Sequence, residues 1–493
     1  MGLASLLCRA LLICSPEYMS PLQKDEHITS FECIHDEGNA DNRLCIFHNL
    51  AIFDDKLRYL YRGGQRPTFP DTVIEWGEGW HLYRQVEPIN QYHIHPNILA
   101  PTVPVRIVDK AVLVVTRWPW NYGHSMGETF INFHINACLG FGHCNGSRAG
   151  GPALVRFEWA NLLKNDPVTW PEVFPAVDEA LKCVTDQEAF HIEDMWPKRE
   201  VVILKKAVIG LGPHHRMLPA PDTRERFLQR FPDPPQWIMD SLRHRLANCT
   251  GVQLHTQKKE GKLSVTLINR NDIKRHIMNE ESIVHRIREE FADDVDVVRV
   301  MRPHEMDFKH MYEMMASTSI TILTHGAAQA NLPFIAREAV VIEMLWHREV
   351  VDAHEWAADI LRQSVLNATF IGRHNRDDRL GEWYRPMFLD QEGFAHATQD
   401  QRLAFYENGP ITEGLLAFQE RFHSSNFEIE WAVLKEALEK AIQAIRTGNH
   451  TWDVDGGRAS FPMGMPRPEP TLPGGLFQRL FGLLPRAQHK VHR

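Results

Sequence analysis

Residues 319–331 read "SITILTHGAAQAN", from Ser319 to Asn331. The β-branched run Ile320 to Leu323 gives way at once to Thr324, His325 and Gly326, then to small and amide residues. A short apolar run suits a buried strand, and the small residues suit a strand-to-helix junction where backbone must approach a ligand. Gly326 permits a tight turn. The amides that follow, starting with Ala327, and the partial positive charge of a helix start would face an anion, and His325 would add a side-chain donor. The same pattern also serves a packed turn whose glycine is steric and whose histidine is satisfied internally. Neither G-x-G-x-x-G nor G-K-[ST] occurs at this junction, so a standard dinucleotide or P-loop reading has no support.

The pattern on either side of the junction repeats. Strand-like "SVTLIN" (264–269), a helix over Asn279–Phe291, strand "DVVRV" (296–300), helix "MDFKHMYEMMAS", "SITIL", a further helix and "AVVIEML" alternate in order. Near-continuously apolar strands and helices with one apolar stripe predict a parallel sheet covered on both faces, a doubly wound lobe. Asn279 is placed to cap its helix, with Glu280 and Glu281 in the first turn and Ile283, Val284, Ile287 and Phe291 as the buried stripe. The next helix buries Phe308, Met311, Tyr312 and Met315.

Toward the N-terminus, "KAVLVVTRW" (110–118) predicts a buried strand, and "NYGHSMGETFINFHINACLGFG" a loop opening into a helix. Strands are also expected at "PALVRFEW" and "EVVILKKAVIGL", and residues 30–100 read as irregular. The polar "HTQKKEGK" near 255–262 marks a lobe boundary. The expected organisation is 1–20 a signal or anchor remnant, 30–255 an N-terminal lobe, 256–450 a C-terminal lobe, and 451–493 a Pro/Gly-rich flexible tail.

At 493 residues the chain exceeds what one core usually supports. Its 54 basic against 63 acidic side chains leave a formal net charge of -9, so a nucleic-acid footprint is missing. No internal stretch approaches the roughly 20 apolar residues of a membrane span. The opening "MGLASLLCRALLICSPEYMS" is apolar but interrupted by Arg9; it reads as a weak signal, a membrane anchor or a first helix. Eight cysteines include no C-x-x-C pair, against a zinc ribbon or thioredoxin-type site. Leaving out Cys8 and Cys14, an even set fits disulfides, Cys33 with Cys45 among the pairings. Sequons stand at Asn145, Asn248, Asn367 and Asn449.

Three separated stretches, with a fourth near the N-terminus, carry a resemblance. "THGAAQANLPFIAREAVVIEMLW" resembles the H-G-A-x-x-x-(N/T/H)-x-x-F…V-x-E motif of the family 61 glycosyltransferases. "LINRNDIKRHIMNEESIV" is similar to that family's S-R-x-x-x-R-x-I-x-N-E, and "NYGHSMGETF" to its N-x-x-H-x-x-x-(D/E) element. "CIHDEGNADNRLCIFHNLAIF" resembles the cysteine-containing segment of its eukaryotic members, which transfer N-acetylglucosamine or pentoses. Glu128 stands where many relatives carry Asp, and Ala328 where several carry Gly. The resemblance implies an α/β, GT-B-like fold of two Rossmann-like doubly wound lobes facing a cleft, and an inverting reaction with no cofactor or obligatory metal. A nucleotide-sugar donor, a UDP-sugar, would bind the C-terminal lobe and a glycan or glycoprotein acceptor the N-terminal one, in the Golgi or endoplasmic reticulum lumen.

Negative charge grows on a diphosphate leaving group as the glycosidic bond breaks, and a metal-free site must meet it with cations and amides. Arg270, Arg275, His325, Gly326 and Ala327 are the candidates, with Glu343 expected to accept a ribose hydroxyl. His124 and Glu128, four apart on one helix face, are expected to serve acceptor-side proton transfer. The D-x-D matches at 294–296 and 453–455 would suit a metal-dependent transferase, but the first begins a strand and the second sits in the tail. The histidine groups at 93–95 and 214–215 bring no carboxylate pattern. A different class, a non-catalytic glycan- or protein-binding member of the fold, would be expected to have lost one of these groups; all are present.

Overall fold

The computed structural model describes residues 28–36, 39–53, 56–62, 86–90, 103–116, 122–144, 149–158, 175–191, 200–210, 236–254, 260–270, 275–303, 305–345, 357, 360–361, 364, 366–375, 426 and 428–454. The segment 1–20, the histidines at 93–95 and 214–215, the Asn145 sequon and the tail beyond 454 lie outside the described residues. Among the described residues no helix is long and apolar enough to cross a membrane.

The chain is a mixed α/β protein with two sheets. The first has eight strands: β1 (Ser30–Asp36), β2 (Asn39–Phe53), β3 (Lys56–Tyr61), β4 (Val86–Asn90), β5 (Val105–Thr116), β6 (Ala153–Glu158), β7 (Phe190–His191) and β8 (Val201–Gly210). Its order is β4-β3-β2-β8-β5-β6-β7, with β1 on β2. Strands β8, β5, β6 and β7 run parallel, while β2 is antiparallel to β8, β3 and β1. Two expectations are thereby corrected. Residues 30–36, 39–53, 56–61 and 86–90 are strands, not irregular chain, and this sheet is mixed instead of doubly wound. Long-range pairing of Leu44–Ile52 with Val202–Gly210 makes the first strands, and no local period announces a partner so far along the chain.

The second sheet has six strands: β9 (Leu263–Ile268), β10 (Val295–Met301), β11 (Ile320–Thr324), β12 (Val340–Leu345), β13 (Thr369–His374) and β14 (Trp452–Val454). All pairs are parallel and the order is β10-β9-β11-β12-β13-β14. Chain leaving β9 turns to one side to make β10, then returns to the other side as β11. The carboxyl ends of β9 and β11 therefore flank a topological switch point, the place where open α/β sheets bind ligands. Trp452–Val454 belongs to the sheet, so 451–454 is not tail.

Helix Glu280–Glu290 buries Ile283 and Ile287, with Val284 and Phe291 packed beside them. Helix Phe308–Ala316 buries Phe308, Met311, Tyr312 and Met315 as expected. Its cap is Asp307, which accepts the His310 amide. Asn279, by contrast, makes no side-chain cap bond. Its amide pairs both ways with the Ile429 backbone, at 2.8 and 3.0 Å, and so anchors the approach to helix Trp431–Thr447.

One apolar cluster spans both sheets, joining Val112, Phe130, Phe133 and Leu242 to Phe308, Tyr312, Leu332 and Phe334. Polar contacts cross the same seam. Arg243, in helix Gln236–Thr250, donates to the Pro333 and Ser364 carbonyls at 3.0 and 2.7 Å, and the Phe308 amide donates to Glu179 at 2.8 Å. Two disulfides, Cys138–Cys144 and Cys183–Cys249, brace the first half of the molecule. Cys45 is also disulfide-bonded, and the residue opposite it in the β1–β2 register is Cys33.

Candidate active site

Asn269 ends β9, and its buried amide organises everything that follows. Its Oδ1 accepts the backbone amides of Arg270 and Ile277, both at 2.8 Å. Its Nδ2 donates to the Ile277 carbonyl at 3.1 Å and to Glu280 at 2.5 Å. Glu280 in turn receives Arg302 at 2.6 Å. One side chain thus closes the loop from Arg270 to Ile277 by holding both its ends. A buried amide left unpaired would cost about 1–3 kcal/mol, so this satisfied set favours Arg270 and Ile277 held where they are. His276 adds a bond from its ring to the Arg270 carbonyl, and its amide donates to Asn426 at 3.0 Å. Sequence reasoning missed Asn269; an amide at the carboxyl end of an apolar strand was the available signal.

Arg275 lies in this loop with φ 62°, in the left-handed region that costs a branched side chain energy. That turn sends its guanidinium across the switch point to the His325 carbonyl, at 3.3 Å. There it occupies the open face of Gly326: a Cβ on Gly326 would overlap Arg275 Nη1. Gly326 itself has φ 124°. The glycine is required because an arginine from the neighbouring strand end fills the space, as well as for its backbone angle.

From Gly326 the chain enters a 3₁₀ helix, Ala327–Phe334, where an α-helix was expected. Pro333 inside the segment lacks an amide hydrogen and shortens the hydrogen-bonding run. The amides of its first turn, at Ala327 and Ala328, have no partner within the helix, as at any helix start. Arg270 and Arg275 follow β9, and His325, Gly326 and Ala327 follow β11, so all five lie at the carboxyl ends of two neighbouring strands.

Glu343 lies in β12, level with Leu323 of β11. Its side chain is completely buried, and His325 is nearly so, at 0% and 12% exposed. His325 Nδ1 is 3.1 Å from Glu343 Oε1, which also accepts Gln329 Nε2. Glu343 was expected to accept a ribose hydroxyl; its carboxylate is wholly buried and engaged by His325 and Gln329.

On the other side, Tyr122–His124 is one α-helical turn, Ser125–Ile131 is π-helical, and Asn132–Phe141 continues as α-helix. His124 and Glu128 lie on this element, with their side chains outside the described residues. π-Helical segments are rare and often occur at functional sites. The fully buried Tyr122 ties this element to the 3₁₀ helix, its hydroxyl donating to Asn331 Oδ1 at 2.6 Å.

One aspartate of each D-x-D match has structural partners. Asp294 accepts Arg446 at 3.3 Å, and Asp453 accepts Arg373 and Lys440. Asp453 is held below the usual carboxylate range by those two cations, against the opposing effect of burial.

No curated protein matches this chain. Residues 122–342, from the first residue of the Tyr122 turn to the residue before Glu343, match the Glycosyltransferase 61 family, which supports the resemblance read from the sequence and an enzyme that transfers sugars.

Proposed function

We propose that the chain is an inverting, metal-independent glycosyltransferase of GT-B type, moving N-acetylglucosamine or a pentose such as xylose from a UDP-sugar to a protein-linked or polysaccharide glycan. The observation that carries this reading is the contact of the Arg275 guanidinium with the His325 carbonyl, over Gly326 and beside the start of the 3₁₀ helix, at the β9/β11 switch point that Arg270 directly follows. Two guanidiniums, an imidazole and a helix start are the groups needed to receive a departing nucleoside diphosphate without a cation. His124 and Glu128, on the element tied to that helix, would take the acceptor hydroxyl's proton as it attacks the anomeric carbon from the opposite face. Glu343 holds His325 in place.

A Golgi or endoplasmic reticulum lumen location, with the apolar N-terminus as signal or anchor, is part of the same proposal. The disulfides support it, and so do the exposed sequon residues Asn248, Asn367 and Asn449.

The test is a nucleotide-sugar panel scored for UDP release, with chelator present, on wild type, Arg270→Ala and His325→Ala. The expected outcome is UDP release that survives chelation and falls in each variant by about 10²- to 10³-fold, as when one oxyanion donor is deleted. An absolute requirement for Mn²⁺, or near-wild-type rates in both variants, defeats the reading.

A further inference from the structure

Tyr122 stands two residues before His124 and is 3% exposed; Asn331 is fully buried in the 3₁₀ helix that begins beside His325. The phenol donates to Asn331 Oδ1 at 2.6 Å and also contacts Met311 Sδ at 3.0 Å. Asn331 Nδ2 donates back to the Ala328 carbonyl at 3.1 Å, within the first turn of the same 3₁₀ helix. Burial pushes the phenol far above its ordinary range, so it remains a neutral donor. The bond sits in the apolar cluster shared by both sheets. An apolar pair would pack there without the risk of stranding a polar atom, so a hydroxyl and an amide matched to each other specify one relative placement of two elements.

The element on the Tyr122 side departs from α-helical geometry. Its π-helical stretch, Ser125–Ile131, is an uncommon backbone state that buries its own Phe130 and Ile131. Gly127, midway along it, has no described atom within 4 Å of where a Cβ would lie.

We propose that Tyr122 and Asn331 are a positioning pair: their hydrogen bond transmits occupancy of the diphosphate site at the His325 junction to the π-helical segment carrying His124 and Glu128. Donor binding would thereby set the acceptor side before an acceptor arrives. The inference rests on the reading of the strand ends as a nucleoside diphosphate site, and its test separates the two. Hydrogen exchange is followed by mass spectrometry on the full chain, with and without UDP, for wild type, Tyr122→Phe and Asn331→Leu. In wild type UDP slows exchange in 325–334 and also in 122–131. In either variant the effect at 325–334 persists and the effect at 122–131 disappears; the double variant behaves like each single one. If one substitution prevents folding, the other alone decides. Protection of 122–131 that survives the substitutions, or that is missing in wild type while 325–334 responds, overturns the pair. UDP protecting neither segment overturns the diphosphate reading and this inference with it.

Discussion

Glu343 Oε1 accepts from both His325 Nδ1, at 3.1 Å, and Gln329 Nε2. Two groups converging on one buried carboxylate oxygen hold the imidazole's ring plane with Nδ1 turned to Glu343, and a carboxylate there favours a proton on that nitrogen. Without that carboxylate the ring could turn, and its outward nitrogen would no longer be defined. Glu343→Gln keeps the shape and removes the charge. A hydrogen bond to a charged group contributes about 1.5–3 kcal/mol, so kcat for UDP release should fall roughly tenfold to a hundredfold. Soluble protein with wild-type melting and an unchanged kcat would refute the assignment.

Arg275 and Gly326 form a second dependent pair. A methyl group on Gly326 displaces the guanidinium and also sits at an unfavourable φ of 124°. Gly326→Ala should therefore weaken UDP binding, measured by calorimetry, at least as much as Arg275→Ala, on the order of tenfold for one lost charge-assisted contact. Combining the two should lose little more than Gly326→Ala alone. Fully additive losses would mean that the two residues act separately.

These pairs show what was readable in advance and what was not. Ile320–Thr324 and Val340–Leu345 were marked as strands by their own apolar runs, and the strand ends named Arg270 and His325. The direction of Glu343 was not readable, because whether a strand-end carboxylate meets solvent or a neighbouring strand depends on packing between β11 and β12. Residues 39–53 failed for another reason. Asn39, Asp41 and Asn42 are turn formers, and they mask a strand whose pairing with β8 is made more than 140 residues later in the chain.

The disulfides should differ in what they contribute. Cys183 and Cys249 are separated by 66 positions, Cys138 and Cys144 by only 6. In the chain-entropy model a loop of the larger size is worth about 4 kcal/mol and one of the smaller about 2 kcal/mol. Cys183→Ala should thus shift the urea unfolding curve of oxidised protein about twice as far as Cys138→Ala. Free-thiol counting on denatured protein provides the companion measurement: Cys45, Cys138, Cys144, Cys183 and Cys249 should all be unreactive. Reactive thiols at these positions in protein isolated from cells would also remove the support for a lumenal location.

His134 predicts how stability follows pH. It is 1% exposed in helix Asn132–Phe141, and its Nε2 meets the Ile238 carbonyl at 3.1 Å. Burial pushes its pKa down from 6.5 to about 3, with Arg245 and His143 adding to the effect and the Ile238 bond opposing it. The folded protein therefore keeps this ring neutral across a window where the unfolded chain protonates it. Between pH 6.5 and about 3 the unfolded state binds more protons, so stability rises with pH there and is lost as pH falls. Each pH unit inside the window is worth about 1.4 kcal/mol, so the loss on going from neutral pH to pH 5 is about 2 kcal/mol from this residue alone. His134→Gln retains a donor for the Ile238 carbonyl and cannot titrate. Urea unfolding at pH 7.5 and pH 5 should show the wild type losing about 2 kcal/mol more than the variant between the two conditions. Equal losses in both proteins would mean that His134 is reached by water and protons in the folded state.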